Sequence, residues 1–307
     1  MAETRLSDLG NLIYAGLDAV FNRALLAPRQ IYYKNIVKEK QVNKRWGWYE
    51  TIGTLGAAKE VPEGQAIEFD KIQDGHKTTI ETKKFAKGVQ ASQESMKFDL
   101  YSVINQQFGT PLVTKMIQLK ERNVADAYNN AFTSTGADGV AIISNSHPLL
   151  GTAGKVNDNL LTGELSTSSI ITAKNMFNQI YDQAGEFFDT RPTHLLIHPN
   201  KEFLALQLLN SQLMALELSN TKNVLQDVMP IKVIVNKYLS YNNSTDVSPW
   251  FMLDMTLDAG LVLQTEGGME LKTWWDYTTL SYKGIAAEYY GVGWISPGYG
   301  VVGSSGS

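Results

Sequence analysis

Cysteine is absent from the 307 residues. That absence removes disulfides, thiolate metal sites and cysteine nucleophiles together, and with them a disulfide-stapled secreted domain. Long apolar runs are absent too. None approaches the ~18–20 residues that span a bilayer, and the opening MAETRLSDLGNLIYAG has no basic stretch leading into an apolar core. These features predict a soluble protein made in the cytoplasm, with no membrane partner. Positive charge is in short supply as well. With 27 lysines and arginines against 31 acidic residues, the net charge of −4 argues against holding nucleic acid by general phosphate neutralisation. No phosphate-binding loop is recognisable, because Gly151, Gly154 and Gly163 follow no strand-to-helix pattern. Nothing in the sequence calls for a cofactor.

Hydrophobic residues make up 43% of the chain and charged residues 19%, ordinary values for a globular protein, and the length fits about two domains or one large domain with an insertion. Within it, residues 48–95 pose a contradiction. Residues 66–72 and 76–85 favour extension, and Asp74-Gly75 between them predicts a hairpin turn. In the second strand His76, Thr78, Ile80, Thr82 and Lys84 fall on one face and Lys77, Thr79, Glu81, Lys83 and Phe85 on the other, so neither face reads as a core surface. A two-stranded ribbon of that composition is marginal alone. The expectation is that a neighbouring molecule supplies its packing surface, as in a protein built for assembly.

Ahead of the ribbon, residues 1–27 form an amphipathic stretch (Leu9, Ile13, Leu17, Val20, Phe21, Leu25) ended by Pro28. Residues 29–45 then carry Arg29, Lys34, Lys38, Lys40, Lys44 and Arg45 against Glu39 alone, with Tyr32, Tyr33, Val37 and Val42 interleaved. They read as a basic arm. Behind the ribbon, Ser92 is placed to cap a short helix, and a helical pattern runs from Asp99 to about Phe132. Leu112, Met116, Leu119, Ala127, Tyr128 and Ala131 mark its apolar face, and Lys115, Lys120, Glu121 and Arg122 the opposite one. Gly109-Thr110-Pro111 is expected to divide this helix, leaving a spine over 111–132 about 33 Å long at 1.5 Å per residue.

Residues 136–163 are loop-like. Then strand and helix alternate: a helix from Ser168 or Ser169 to about Gln183, a strand over 193–198, a helix from Lys201 to about Leu218 and a strand over 231–235, a small α/β unit. From Trp250 the chain is strand after strand (WFMLD, GLVLQTE, MELKTWW, LSYKGIAAEYYGVGWIS). Those strands need a surface to lie on, and the spine helix offers it, which makes the middle unit an insertion.

Two constellations suggest chemistry. Ser144-Asn145-Ser146-His147 with Asp138 nearby has the residue types of a hydrolase. The same residues are ordinary turn formers. His194 and His198 share a strand face, but four residues at ~3.3 Å each set them about 13 Å apart, too far for one ion. The aromatic pairs Trp274/Trp275 and Tyr289/Tyr290 sit in strands, so one member of each faces in and one out, as core and interface rather than a base-stacking platform.

The order of arm, ribbon, long helix, inserted α/β unit and returning strands resembles the major capsid proteins of tailed bacteriophages, whose fold is shared with herpesvirus capsid floors and encapsulins. GADGVAIISNSHPL at 136–149, PTHLLIHP at 192–199, NVLQDV at 223–228, IKVIVNKYL at 231–239, WFMLD at 250–254 and GVGWISPGYG at 291–300 are similar to the Mu-type prophage major head subunit. The resemblance implies an α+β capsid fold: an N-terminal arm (1–47), an extended β-ribbon loop (48–91), a peripheral domain with spine helix and antiparallel sheet (92–139 and 262–303), an axial domain (140–261) and a short tail (304–307).

It also implies pentamers and hexamers of one protein closing an icosahedral shell around double-stranded DNA, without catalysis and without sequence-specific DNA binding. Subunit contacts would fall on Arg29, Tyr32, Tyr33 and Lys34 in the arm and on Lys59, Glu60, Lys71, His76, Lys77 and Lys83 in the loop, with Gly109 and Pro111 as a spine hinge. The chain starts almost at the arm, so scaffold and maturation protease are expected as separate proteins unless the cut has already occurred; a portal and a decoration protein are further partners. The alternatives are an encapsulin-like compartment and a virion-associated hydrolase using His147.

Overall fold

Turn chemistry at Asp74-Gly75 does not make a hairpin. The computed structural model describes residues 31–52, 55, 58–67, 69, 74–97, 103–151, 154–210, 225, 230–258 and 260–307; the amphipathic stretch 1–27, Arg29 and Lys71 lie outside them. After a 3-10 turn at Tyr33–Asn35 and strand β1 (Lys38–Gln41), the ribbon is built from β2 (Trp46–Ile52) and β3 (Asp74–Glu81). They pair antiparallel, with Trp46 opposite Glu81 and Trp48 opposite Thr79. Asp74 and Gly75 thus open a strand, and β3 takes a partner from the aromatic stretch upstream; the expected strand over 66–72 lies largely outside the described residues. At Thr82 the chain changes partners: its N–H bonds the Arg45 carbonyl, and β4 (Lys83–Ser92) then pairs with a different sheet.

The expectation that neither ribbon face is buried also gives way. Alternation holds, and its even face is inside: His76, Ile80 and Thr82 are buried, and Ile80 packs with Val262 and Ile295. Glycine creates the room. A side chain on Gly291 would overlap the Glu81 carbonyl and one on Gly293 would meet Ile80 at 2.8 Å, so the base of the ribbon lies directly on the backbone of a neighbouring strand.

Ser92 accepts the Ser95 N–H and starts helix α1 (Gln93–Lys97). The spine helix α2 (Val103–Asn129) runs unbroken through Gly109, Thr110 and Pro111, so the predicted division does not occur; at 27 residues it is about 40 Å long. Pro111 removes one backbone hydrogen bond there without ending the helix. Leu112, Val113, Met116, Val124 and Tyr128 recur at three and four and bury one face. They lie on a four-stranded sheet of order β1-β11-β12-β4, made with β11 (Leu261–Asp276) and β12 (Ser281–Trp294). Leu112, Val113 and Met116 meet Ala91, Tyr282 and Ala286, while Val124 and Tyr128 meet Leu261, Leu263 and Tyr290. GLVLQTE and MELKTWW are thus one strand, with a register shift between Glu266 and Glu270 where Gly267 adopts φ 73°.

The middle block contributes short strands β5 (His147–Pro148), β6 (Val156–Asn157) and β7 (Leu160–Leu161), then helix α3 (Thr167–Phe177), β8 (His194–Ile197), α4 (Glu202–Asn210), β9 (Lys232–Val235) and β10 (Trp250–Leu253). Ser166 and Ser169 form a reciprocal capping box at the start of α3. A five-stranded sheet of order β7-β13-β10-β8-β9 closes with β13 (Val301–Ser304), so residues 301–303 join the middle block rather than the spine and its sheet. Both faces are covered: Leu195, Ile197, Trp250, Met252 and Val302 pack on α3 and α4, and Leu196, Phe251, Leu253 and Val301 pack toward the end of the spine. That explains the unbroken apolar runs HLLI and WFML, which have no polar face to offer. The terminal serines are part of this unit, for Ser304 Oγ donates to the Gly163 carbonyl and Gly163 N–H bonds Ser307.

Candidate assembly surfaces

The arm is held to the spine by buried charge. The N–H groups of Tyr32 and Tyr33 donate to the two carboxylate oxygens of Glu121 at 2.7 and 3.0 Å. Beside it Lys120 pairs with Glu288 and lies 5.5 and 5.3 Å from the ring centres of Tyr33 and Tyr290. Lys120 and Glu121, expected on the solvent face, are 7% and 4% exposed. Burial pushes the Glu121 carboxyl up, opposed by the two amide bonds and by Lys237. Two turns on, the Tyr128 hydroxyl donates to the Ile36 carbonyl, and β1 pairs parallel with β11. Tyr33, Ile36 and Val37 are buried in their own chain, so Tyr33 is an internal anchor rather than a free contact, while Lys34 is exposed and Tyr32 half-buried.

The ribbon shows the opposite character on its outer face. Trp46 and Trp48 point outward, Trp48 with 78% of its surface free. Around them Glu50 pairs with Lys77 at 3.2 Å and Arg45 with Glu81 at 2.7 Å. In the loop beyond, Lys59 and Glu60 are exposed alongside Leu55, Val61, Ile67 and Phe69, the last at 90%. Exposed aromatic and aliphatic groups gathered on one projection mark a contact surface. Lys83 is exposed as expected, but His76 is buried on the inner face of β3, so it does not belong to the outer face. Trp46 and Trp48 are candidate contact residues that sequence reasoning missed; the signal was the W-G-W alternation, which belongs to a strand. Under the ribbon a cleft of about 660 Å³ opens toward the spine, between Thr79, Phe85, Asn130, Tyr290 and Trp294.

A second exposed tip joins β11 to β12. Asp276 accepts from Lys283 Nζ at 2.5 Å and from Thr278 and Thr279, which holds its carboxyl well below the usual carboxylate range. The turn presents Tyr277 and Leu280, and Leu280 sits at φ 44°, a strained conformation for leucine.

His147 is placed as a pin. Its Nδ1 is 2.6 Å from Asp138 Oδ2, and its Nε2 is 3.2 Å from both the Ile142 carbonyl and Asn159 Oδ1. Asn159 in turn accepts the Ser144 N–H and donates to Ile142 and Gly298. Gly298, at φ 70°, is glycine because a side chain would meet His147 Nε2 at 2.8 Å. The Ser144 and Ser146 hydroxyls bond each other, so neither faces an imidazole nitrogen as a nucleophile would. His194 bonds Thr193, and His198 accepts the Asn200 N–H and stacks on Tyr241: they are separate groups at the two ends of β8.

Residues 77–302 match the family model described as phage capsid protein. No curated protein matches this sequence. Among solved structures, the capsid of cyanophage P-SCSP1u superposes with a TM-score of 0.62 at 10% identity, covering 89% of this chain and 87% of that one. The mature capsid of bacteriophage PhiM1 gives 0.58 at 10% identity over 91% and 87%. The SrpI encapsulin of Synechococcus elongatus gives 0.52 at 9% identity over 100% and 96%. Such identities speak for the fold, and the family model speaks for descent: the chain belongs to the phage capsid protein family and has the α+β fold of tailed-phage shells.

Proposed function

We propose that this chain is the major capsid subunit of a tailed phage or prophage, forming pentamers and hexamers that close an icosahedral shell around double-stranded DNA. The observation that carries the reading is the ribbon and loop, whose Trp48, Ile67 and Phe69 stay uncovered by their own chain in a member of a capsid family. A neighbouring copy supplies the cover. Many such contacts, each weak, sum to a stable closed shell. In this division the arm reaches along a neighbour, the loop lies over the adjacent subunit, the spine and its sheet form the peripheral part, and the middle block meets its copies around the symmetry axes. The chain works mechanically, without turnover. Assembly takes place in the host cytoplasm with the help of a scaffold and a maturation protease, and with a portal and a decoration protein joining the shell.

Shell formation is tested by sedimentation velocity and electron microscopy of the purified chain with a version lacking residues 55–69. Deletion is confined to the loop because β3 carries buried Ile80. Shells from the intact chain and dispersed, folded subunits from the shortened one are expected. The encapsulin likeness, which spans all of this chain, favours one second reading, a protein-filled compartment. Nuclease-resistant DNA inside purified shells decides for the phage reading, and an enzyme cargo decides against it.

A further inference from the structure

Gln264 lies on β11, opposite Gly291 of β12, and its side chain is wholly buried where the ribbon crosses the main sheet. Its Nε2 donates to Thr82 Oγ1 at 2.5 Å and to the Ile80 carbonyl at 3.4 Å, and its Oε1 accepts the Tyr49 hydroxyl at 3.1 Å. One side chain of the body thus holds both strands of the ribbon, Tyr49 in β2 and Ile80 at the end of β3, at the residue where the chain changes sheets. Gly47 is part of the same seat, since a side chain there would overlap Gln264 Oε1.

We propose that Gln264 is the positioning residue that sets the angle at which the ribbon leaves the body. Among the described residues, the other contacts at the root include the Ile80, Val262 and Ile295 cluster with Tyr49 against it, the Gly291 and Gly293 backbone under Glu81 and Ile80, Lys40 Nζ 5.4 Å from the Tyr49 ring centre, and one 3.4 Å bond from Thr78 Oγ1 to the Ile295 carbonyl. Apolar contact is non-directional and lets a knob rock in its groove. Hydrogen bonds at fixed angles do not. A two-stranded ribbon has little stiffness of its own against bending at its base, so the directional bonds at the root decide how Trp48, set between Gly47 and Tyr49 on the opposite face of β2, is presented. In a shell that angle becomes the angle between neighbours, and so the curvature. This consequence rests on the shell reading; the clamp itself does not.

The test uses the full chain with Gln264→Ala, beside Tyr49→Phe and Thr82→Val, which each remove one hydroxyl partner and leave the core residues in place. In unassembled protein, hydrogen exchange at 47–51 and 76–81 is expected to quicken about tenfold in Gln264→Ala, and less in the other two, with exchange in the spine and in β8 and β10 unchanged. Assembled variants are expected to give a broader spread of particle diameters than wild type. Ribbon exchange that stays at the wild-type rate in all three variants overturns the clamp. Should Gln264→Ala not fold, wild-type exchange in Tyr49→Phe and Thr82→Val overturns it equally. Quickened exchange with an unchanged diameter distribution overturns the link to curvature, and a wild type that never assembles overturns the shell reading while the exchange comparison still decides the clamp.

Discussion

Glu121 and His147 show what single buried polar side chains do in this chain. Because the folded-state pKa of Glu121 lies above its unfolded value, the native state holds that proton more tightly than the unfolded chain does. The stability from protonating it is therefore complete below the unfolded pKa near 4.5 and is lost as pH rises through the raised folded pKa. Glu121→Gln is expected to lower Tm at every pH, because one of the Tyr32 and Tyr33 amides loses its acceptor, and to flatten this part of the profile; calorimetry from pH 4.5 to 8 checks both. His147→Ala leaves Asp138 buried without its partner. A loss of about 3–5 kcal/mol in urea unfolding is expected. Loss of a hydrolytic turnover with stability unchanged would instead restore a catalytic role. The sequence could not reveal Lys120 and Glu121 as inward-facing, since pattern reading assigns charge to solvent and only the fold brings Glu288 and the arm amides to meet them.

Among the elements, the spine helix and its sheet were legible, because apolar spacing of three and four on one side and strand-forming runs on the other are strong signals. The ribbon was legible as extended chain and misread in its pairing and in its buried face. Asp-Gly is a local turn signal, whereas β3 pairs with β2 across some twenty intervening residues and is seated on Gly291 and Gly293, neither of which a local reading can see. Gly293→Val is expected to unseat Ile80 and cost about 1–3 kcal/mol by overpacking, read as accelerated exchange in β3. Gly109 and Pro111 were read as a break, but packing on Ala91, Tyr282 and Ala286 carries the helix through. We propose that they remain a bending point. Pro111→Ala restores one backbone hydrogen bond and should raise stability by up to about 3 kcal/mol, measured by thermal melting, while slowing any change of shell diameter during maturation. A melt unchanged or lowered by Pro111→Ala contradicts the cost assigned to that missing hydrogen bond.

For the whole molecule, two sheets share the spine helix as common support, and the chain's last strand returns to the middle block, so neither half is independent of the other. Among the described residues, the apolar faces of the spine and of both sheets are covered by this packing, whereas Trp48, Ile67 and Phe69 of the ribbon and loop are not. Sedimentation velocity of wild type and Trp48→Ser across protein concentration, alone and with a co-expressed scaffold, tests that account most directly. Wild type is expected to sediment as capsomers and closed shells, and Trp48→Ser, with wild-type Tm, to shift assembly to at least about tenfold higher concentration, as loss of a buried aromatic anchor does. A wild type that remains a compact monomer at every concentration, with scaffold present, contradicts it.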